Sequence, residues 1–376
     1  MNHAYSVDEV FQYESYLINS GRLTMETLLE RASSSLFNVC KEKIDAKEKT
    51  LIISGKGYNG ADALRVATKL AEIGRTVSIY PVFPLSENKP LTQKAYQNAV
   101  AAGVKIQNKL TLSNIDVVID GMLGIGCRMQ LPEHLINIIK SVNQAKLNVI
   151  SIDVPSGLNA DTGIANVETI RASTTICLLL RKRGLYTADA DDYTGDIIFE
   201  DCGIVTNPNE VSQHPVQIIN RHDMTGYKPI KSNVQKYDFG KTLVIGGCDG
   251  MQGAVVLCGH AAYRAGTGLV KISAESSEAI VGSIPDYLTQ SWAELKGQIH
   301  QERCSSIIIG PGLGRSQEAG RLLEEVLKCK QPKVVDADGL RLLASKQDLV
   351  GIDSNTVLTP HAGEAADLLS CSIKEV

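Results

Sequence analysis

Aromatic residues are scarce in this sequence, 5% of 376 residues with a single tryptophan, while glycine reaches 32. That balance argues against a β-sandwich or a coiled coil and for an α/β chain with many tight strand-to-helix turns. No C-x-x-C pair occurs. The nine cysteines, Cys40, Cys127, Cys177, Cys202, Cys248, Cys258, Cys304, Cys329 and Cys371, are odd in number and scattered, as free thiols in a reducing compartment would be. The seven histidines are equally dispersed, so no zinc-type ligand cluster is readable. There is no excess of positive charge: a formal net charge of −4 leaves no footprint for nucleic acid or an anionic membrane. An anionic cofactor stays open, because backbone N–H groups at helix N-termini can hold one. No run approaches the ~20 apolar residues of a spanning helix; the best, around Ile176–Leu180, is strand length. The first ten residues show neither the basic nor the apolar part of a signal peptide, and the expectation is a cytoplasmic protein.

What is present is an alternation of strands and helices. Ser6 followed by Glu9 is a capping-box pattern ahead of a helix to about Ile18, and a second helix is expected from Thr24 to about Lys43. Short apolar strands then alternate with helices: Leu51–Ser54, helix Asp62–Ile73, Val77–Tyr80, helix Leu91–Ala102, Val117–Asp120, helix Glu133–Asn143 and Val149–Asp153. Continuous apolar strands between helices predict a parallel sheet covered on both faces. Residues 204–238 carry Pro208, Pro215 and Pro229 with no clear period, which places a domain boundary near 215–225. The alternation then resumes, with strands at Thr242–Ile245, Leu269–Ile272, Ile307–Ile309, Val334–Asp336 and Thr356–Thr359. Helices are expected near Ala254–Ala265, Glu318–Cys329 and Glu364–Leu369. Two domains follow, 1–215 and 225–376, with no internal repeat.

In open parallel sheets ligands bind beyond the carboxyl ends of the strands, and three such loops stand out. Ser54-Gly55-Lys56-Gly57-Tyr58-Asn59-Gly60-Ala61-Asp62 joins a strand to a helix; its glycines allow close backbone approach, and the following helix N-terminus offers N–H donors to phosphate. Gly55, Gly57 and Gly60 satisfy G-x-G-x-x-G, but the next strand ends Ile79-Tyr80-Pro81-Val82 without the carboxylate a dinucleotide-binding dehydrogenase needs. The second loop is Asp120-Gly121-Met122-Leu123-Gly124-Ile125-Gly126-Cys127-Arg128 and the third Asp153-Val154-Pro155-Ser156-Gly157. Each puts an Asp at the end of a buried strand, where it must be paired, hydrogen-bonded or bound to a cation. Such an Asp either caps its own loop or serves chemistry; Asp62 is also explained simply as an acid in a helix's first turn.

Together these loops resemble the signatures of the YjeF-type NAD(P)H-hydrate epimerases: G-x-G-N-N-G-G-D, D-A-x-F-G-x-G and D-V-P-S-G. Leu180-Arg181-Lys182-Arg183-Gly184-Leu185-Tyr186 and Tyr193-Thr194-Gly195-Asp196 are similar to the family's K-x-G-L and Y-x-G-x region. The likeness spans roughly residues 5–205. It implies a Rossmann-like three-layer parallel-sheet domain that interconverts the R and S epimers of hydrated NAD(P)H. It further implies a potassium ion on Asn59, Asp120 and Ser156, dinucleotide contacts at Tyr58, Asn59, Gly60, Ala61 and Asp62 and at Gly124, Ile125, Gly126, Cys127 and Arg128, and proton transfer by Asp153 at the hydrated ring. Tyr58, Ala61, Leu123 and Ile125 depart from the family pattern.

The second half resembles the ADP/ATP-dependent NAD(P)H-hydrate dehydratases. The matching segments are Gly246–Ala254, Ala265–Val270, Gly310-Pro311-Gly312-Leu313-Gly314, Asp336-Ala337-Asp338-Gly339-Leu340 and Thr359-Pro360-His361-Ala362-Gly363-Glu364. The resemblance implies a ribokinase-like α/β domain, hydrate contacts at Ala254, Gly314 and His361, and ADP as phosphoryl donor. The G-S/T-G-D loop that carries the family's catalytic Asp is not found after Glu364, so an incomplete domain without dehydratase turnover is expected. Two other readings stay open, a non-catalytic NAD(P)H-binding protein and a nicotinamide-dependent dehydrogenase. Family analogy implies a homo-oligomer.

Overall fold

Alternate residues of a strand point to opposite faces, and the strands of this protein are apolar on both. In β2 (Thr50–Ser54) Ile52 packs with Leu64 and Ala67 of helix α3 (Tyr58–Glu72), while Leu51 and Ile53 join Leu135 and Ile139 of α5 (Glu133–Ala145) on the other face. The computed structural model describes residues 3–127, 130–204, 211–212, 216–220, 223, 233–278, 280, 286–345, 352–373 and 375–376. Its chain divides into two units, Met1–Gly226 and Tyr227–Val376. The expected boundary at 215–225 falls just before this division; residues 215, 221–222 and 224–225 lie outside those described.

The first unit opens with β1 (His3–Tyr5) and α1 (Val7–Asn19), whose capping box joins Ser6 and Glu9 and whose inner face buries Val10, Tyr13 and Leu17 at spacings of three and four. Helix α2 (Met25–Lys43) follows. The main sheet then adds β3 (Val77–Pro81), β4 (Lys105–Ile106), β5 (Val117–Gly121), β6 (Asn148–Ile152), β7 (Thr174–Leu178) and β9 (Asp196–Glu200) to β2, in the order β4-β3-β2-β5-β6-β7-β9. All its pairings are parallel. The order reverses between β2 and β5, so the loops after these strands diverge and leave a crevice. A small sheet joins β1 to β8 (Arg181–Lys182) and to β10 (Val216–Gln217).

The second unit is a six-stranded parallel sheet in the order β13-β12-β11-β14-β15-β16: Leu288–Ser291, Leu269–Ala274, Lys241–Ile245, Ser306–Ile309, Lys333–Val335 and Thr356–Leu358. Its two faces form separate cores. Leu243, Ile307 and Val335 meet Leu323 of α9 (Gln317–Leu327), and Val244 and Ile272 meet Val255 of α7 (Gln252–Arg264). Among the described residues no helix is long and apolar enough to cross a membrane.

Most element ends fall within two residues of the sequence reading, with one consequential exception. Helix α3 starts at Tyr58, four residues before the expected Asp62, because Gly57 takes an extended N-cap conformation and tertiary contacts hold Tyr58 and Asn59 in the first turn. Strands β1, β4, β8, β9, β10 and β13 were not expected, and β7 was noted only as a strand-length apolar run. Of these, β1, β4, β8 and β10 span two or three residues, and β9 and β13 lie at sheet edges with half-exposed residues. Ile52 sits at the centre of the larger sheet with no exposure. Ile52→Ala is expected to cost about 2–5 kcal/mol, measured as a lowered denaturant midpoint with an unchanged slope.

Candidate active site

The loops at the carboxyl ends of β2, β5 and β6 surround a cavity of about 340 Å³ that is closed by α1 and α2. Phe11, Leu28, Leu29 and Met122 make much of its wall apolar, and Glu14, Asp62, Asp153 and Lys182 are its buried or half-buried acidic and basic side chains.

The glycine loop is built by backbone-to-backbone packing. A Cβ on Gly60 would come 2.0 Å from the Gly55 carbonyl oxygen, and one on Gly55 would come 1.8 Å from that of Met122. These two glycines let the first loop lie directly against the second and against its own helix, which is a different use from ligand approach. Tyr58, Asn59 and Asp62 reach the cavity wall, with the Lys89 ammonium 3.8 Å above the Tyr58 ring. Ala61 does not: it is wholly buried in the core, so its methyl replaces a glycine away from the cavity. Gly60 is likewise not on the wall, whereas Gly124, Ile125, Gly126 and Cys127 are. Arg128 lies outside the described residues.

Asp120, Ser156 and Asn59 come together beneath the cavity. The Asp120 carboxylate is fully buried and accepts from four donors: Met122 N at 3.2 Å, Ser156 Oγ at 2.6 Å, Ser151 Oγ at 2.9 Å and Ser156 N at 2.8 Å. Burial raises its pKa, against the pull of those hydrogen bonds. Ser156 Oγ also accepts from Leu123 N at 2.9 Å, and Asn59 Nδ2 donates to the carbonyls of Leu123 at 2.6 Å and Ile152 at 3.3 Å. Three loops are thereby tied into one floor. Among the described residues no lysine or arginine pairs with Asp120, and every candidate ligand atom there is oxygen.

Asp153 projects from the end of β6 with a left-handed backbone, φ 66°, which a short polar side chain tolerates better than most. Its Oδ1 accepts from Lys182 Nζ in a short contact and from Leu178 N at 3.2 Å. Lys182 is itself buried and gives a second hydrogen bond to the Leu178 carbonyl at 2.7 Å. Burial works against its charge, but Asp153 outweighs it and the lysine pKa rises. Sequence reasoning gave Lys182 no role, although it is the lysine of the segment similar to K-x-G-L, two residues after the apolar run Leu178–Leu180. Glu14 was also missed; inside an amphipathic helix it carries no signal, yet burial raises its pKa in the cavity wall.

Residues 25–184 match the family described as YjeF-related protein N-terminus, and residues 242–376 match the NAD(P)H-hydrate dehydratase family. A curated relative from Escherichia coli, a bifunctional NAD(P)H-hydrate repair enzyme, is 32% identical over 371 residues, covering 94% of this chain and 69% of its own. A relative of the same name from Coxiella burnetii is 31% identical, covering 100% of this chain and 78% of its own. This chain belongs to the bifunctional NAD(P)H-hydrate repair enzymes. Its two units are thus an epimerase-type and a dehydratase-type domain. A solved ADP/ATP-dependent NAD(P)H-hydrate dehydratase from Bacillus subtilis is 27% identical, with TM-score 0.35 over 39% of this chain and 53% of that one.

In the dehydratase-type domain the three expected contact residues follow the carboxyl ends of β11, β14 and β16. Gly314, after β14, has φ 68° and donates its N–H to Asp338 Oδ2 at 3.0 Å. Ala254 lies in the first turn of α7, 3.2 Å from where a Cβ on Gly312 would be. His361 N-caps α11 (Ala362–Leu369), its Nδ1 accepting from Gly363 N at 3.1 Å; its ring is exposed.

Breaking a buried ion pair leaves its other member uncompensated. Lys182→Met is expected to lose about 3–5 kcal/mol of stability, and the Lys182→Met/Asp153→Asn double variant to recover most of it. Equal losses in the two, measured by denaturant unfolding, would contradict the pairing.

Proposed function

We propose that the cavity of the first unit epimerises hydrated NADH and NADPH, interconverting the R and S forms at the hydroxyl-bearing ring carbon. The observation that carries this reading is Asp153: a carboxylate at the sheet's carboxyl edge, held by a buried ammonium, facing a largely apolar cavity. A group so fixed can exchange a proton with a ring placed against it, while the apolar wall limits water. Gly57 caps α3 without a side chain, so first-turn N–H groups of this helix are available to the dinucleotide's pyrophosphate. Tyr58, Asn59 and Asp62 and the loop from Gly124 to Cys127 line the rest of its path, and Arg128 is assigned to the same loop.

Asn59, Asp120 and Ser156 fit a potassium ion by their chemistry: hard oxygen ligands only, one buried carboxylate with no cationic side chain among the described residues to offset it, and the Leu123 and Ile152 carbonyls alongside. With the ion bound, the charge of Asp120 would be offset and the floor braced; proton transfer stays with the side chains above it. In the second unit we assign Ala254, Gly314 and His361 to the hydrate in an ADP-dependent dehydration.

The test is conversion of purified R-hydrate, read through a separate intact dehydratase, with and without potassium. Turnover that requires potassium is expected, and Asp153→Asn should lower it by about 10²–10⁴-fold. Binding without turnover by folded wild type would favour the non-catalytic reading. A dehydrogenase is disfavoured by the end of β3, where Tyr80 and Pro81 stand and no carboxylate awaits a ribose.

A further inference from the structure

A carboxylate near the start of a helix ordinarily faces water, where it stays solvated. Asp62, in the second turn of α3, does not. It is only 7% exposed, lines the same cavity as Asp153, and its Oδ1 is buried without a hydrogen-bond partner. Arg65, one turn along α3, is directed elsewhere and pairs with Glu30 at 2.8 Å. The other groups around Asp62 are Glu14 of α1 and Asp153 after β6, with Lys182 and Cys202 on the cavity wall. Burial first, then the negative charge of Asp153, pushes the Asp62 carboxyl well above the ordinary range; Arg65 opposes this and Glu14 adds to it. Asp62 is therefore a buried acid with an unused oxygen, biased toward its neutral form, next to an ion-paired carboxylate.

We propose that Asp62 is the second proton-transfer residue of this site, donating to the departing ring hydroxyl while Asp153 accepts the proton of the water that adds to the other face. The inference rests on the reading of the cavity as an epimerase site. One carboxylate cannot serve both faces of a planar ring, and the two come from different elements of the same cavity. The hydroxyl-bearing carbon adjoins the ring nitrogen. Protonation by Asp62 lets the C–O bond break, its electron pair leaving on water, as the nitrogen lone pair forms the C=N bond of a planar iminium. Water adding to the opposite face forms the new C–O bond, returns the C=N pair to nitrogen and passes its proton to Asp153. Nothing is oxidised. Asp62 ends ionised and Asp153 protonated, the state that runs the reverse epimerisation, and exchange with solvent resets it.

The experiment compares wild type, Asp62→Asn, Asp62→Glu and Asp153→Asn in the full chain, following R and S by chromatography from acid to alkaline pH. Asparagine keeps the size and neutrality of the protonated acid. For Asp62→Asn, kcat should fall about 10²–10³-fold with KM changed less than about threefold, and Asp62→Glu should restore part of it. The reaction needs Asp62 protonated, so wild-type activity should be lost as pH rises through its elevated pKa, and that alkaline limb should vanish in Asp62→Asn. A kcat within about threefold of wild type, or an unchanged alkaline limb, overturns the proposal. Wild type in H₂¹⁸O should also take up solvent oxygen with each epimerisation; epimerisation without uptake overturns it independently of any variant's folding. Wild type without turnover would sink the site reading itself, whereas activity lost in Asp153→Asn but kept in Asp62→Asn removes only the role of Asp62.

Discussion

A carboxylate taken out of water at the end of a buried strand has to be compensated, and the first unit is organised around that demand. Three acids at the carboxyl edge of one sheet meet it in three ways. Asp120 is wrapped by two hydroxyls and two backbone N–H groups; Asp153 is bound to a buried lysine; Asp62 has neither kind of partner at its Oδ1 and is pushed toward the neutral form. The loop conformations follow from these needs. Ser156 bridges the second and third loops because Asp120 requires its hydroxyl, and Asn59 ties the first loop to the same floor. The same low dielectric that makes the unpartnered acid costly is what suits it to move a proton.

The arrangement also explains a division of labour among the glycines. Gly55 and Gly60 are required by backbone packing between loops, so the loops can be stacked closely enough for side chains from three strands to converge. The helix start that results is earlier than expected and turns Tyr58, Asn59 and Asp62 toward the cavity while Ala61 points into the core. A helical turn sorts neighbours in sequence onto different sides, which an extended-loop reading of the same residues misses.

Much of the fold was legible because burial on both faces of a parallel sheet demands continuously apolar strands, and β2, β5, β6, β11 and β14 supply them. The capping box at Ser6 and the strand-to-helix alternation were equally plain. Edge strands such as β9 and β13, half-exposed and paired on one side, carry no such demand and were not placed from the sequence. At the site, the residues at loop positions between strand and helix, Asn59, Asp120, Asp153 and Ser156, stood out by type and place. Glu14 did not, since it lies within an ordinary amphipathic helix. Lys182 stood out only as part of a family motif, its pairing with Asp153 unread because it sits on a two-residue strand whose partner is β1.

The sequence by itself therefore determined the α/β class, the two-part division, the family signatures and the loops at which chemistry would gather, since all of these rest on local periodicity and short-range motif spacing. Only the tertiary structure decided which side chains share the cavity. Asp153 and Lys182 are 29 residues apart in the chain, and Glu14 reaches the same space from near its beginning. Their meeting depends on strand order, helix packing and the closing of long loops, none of which a local pattern encodes.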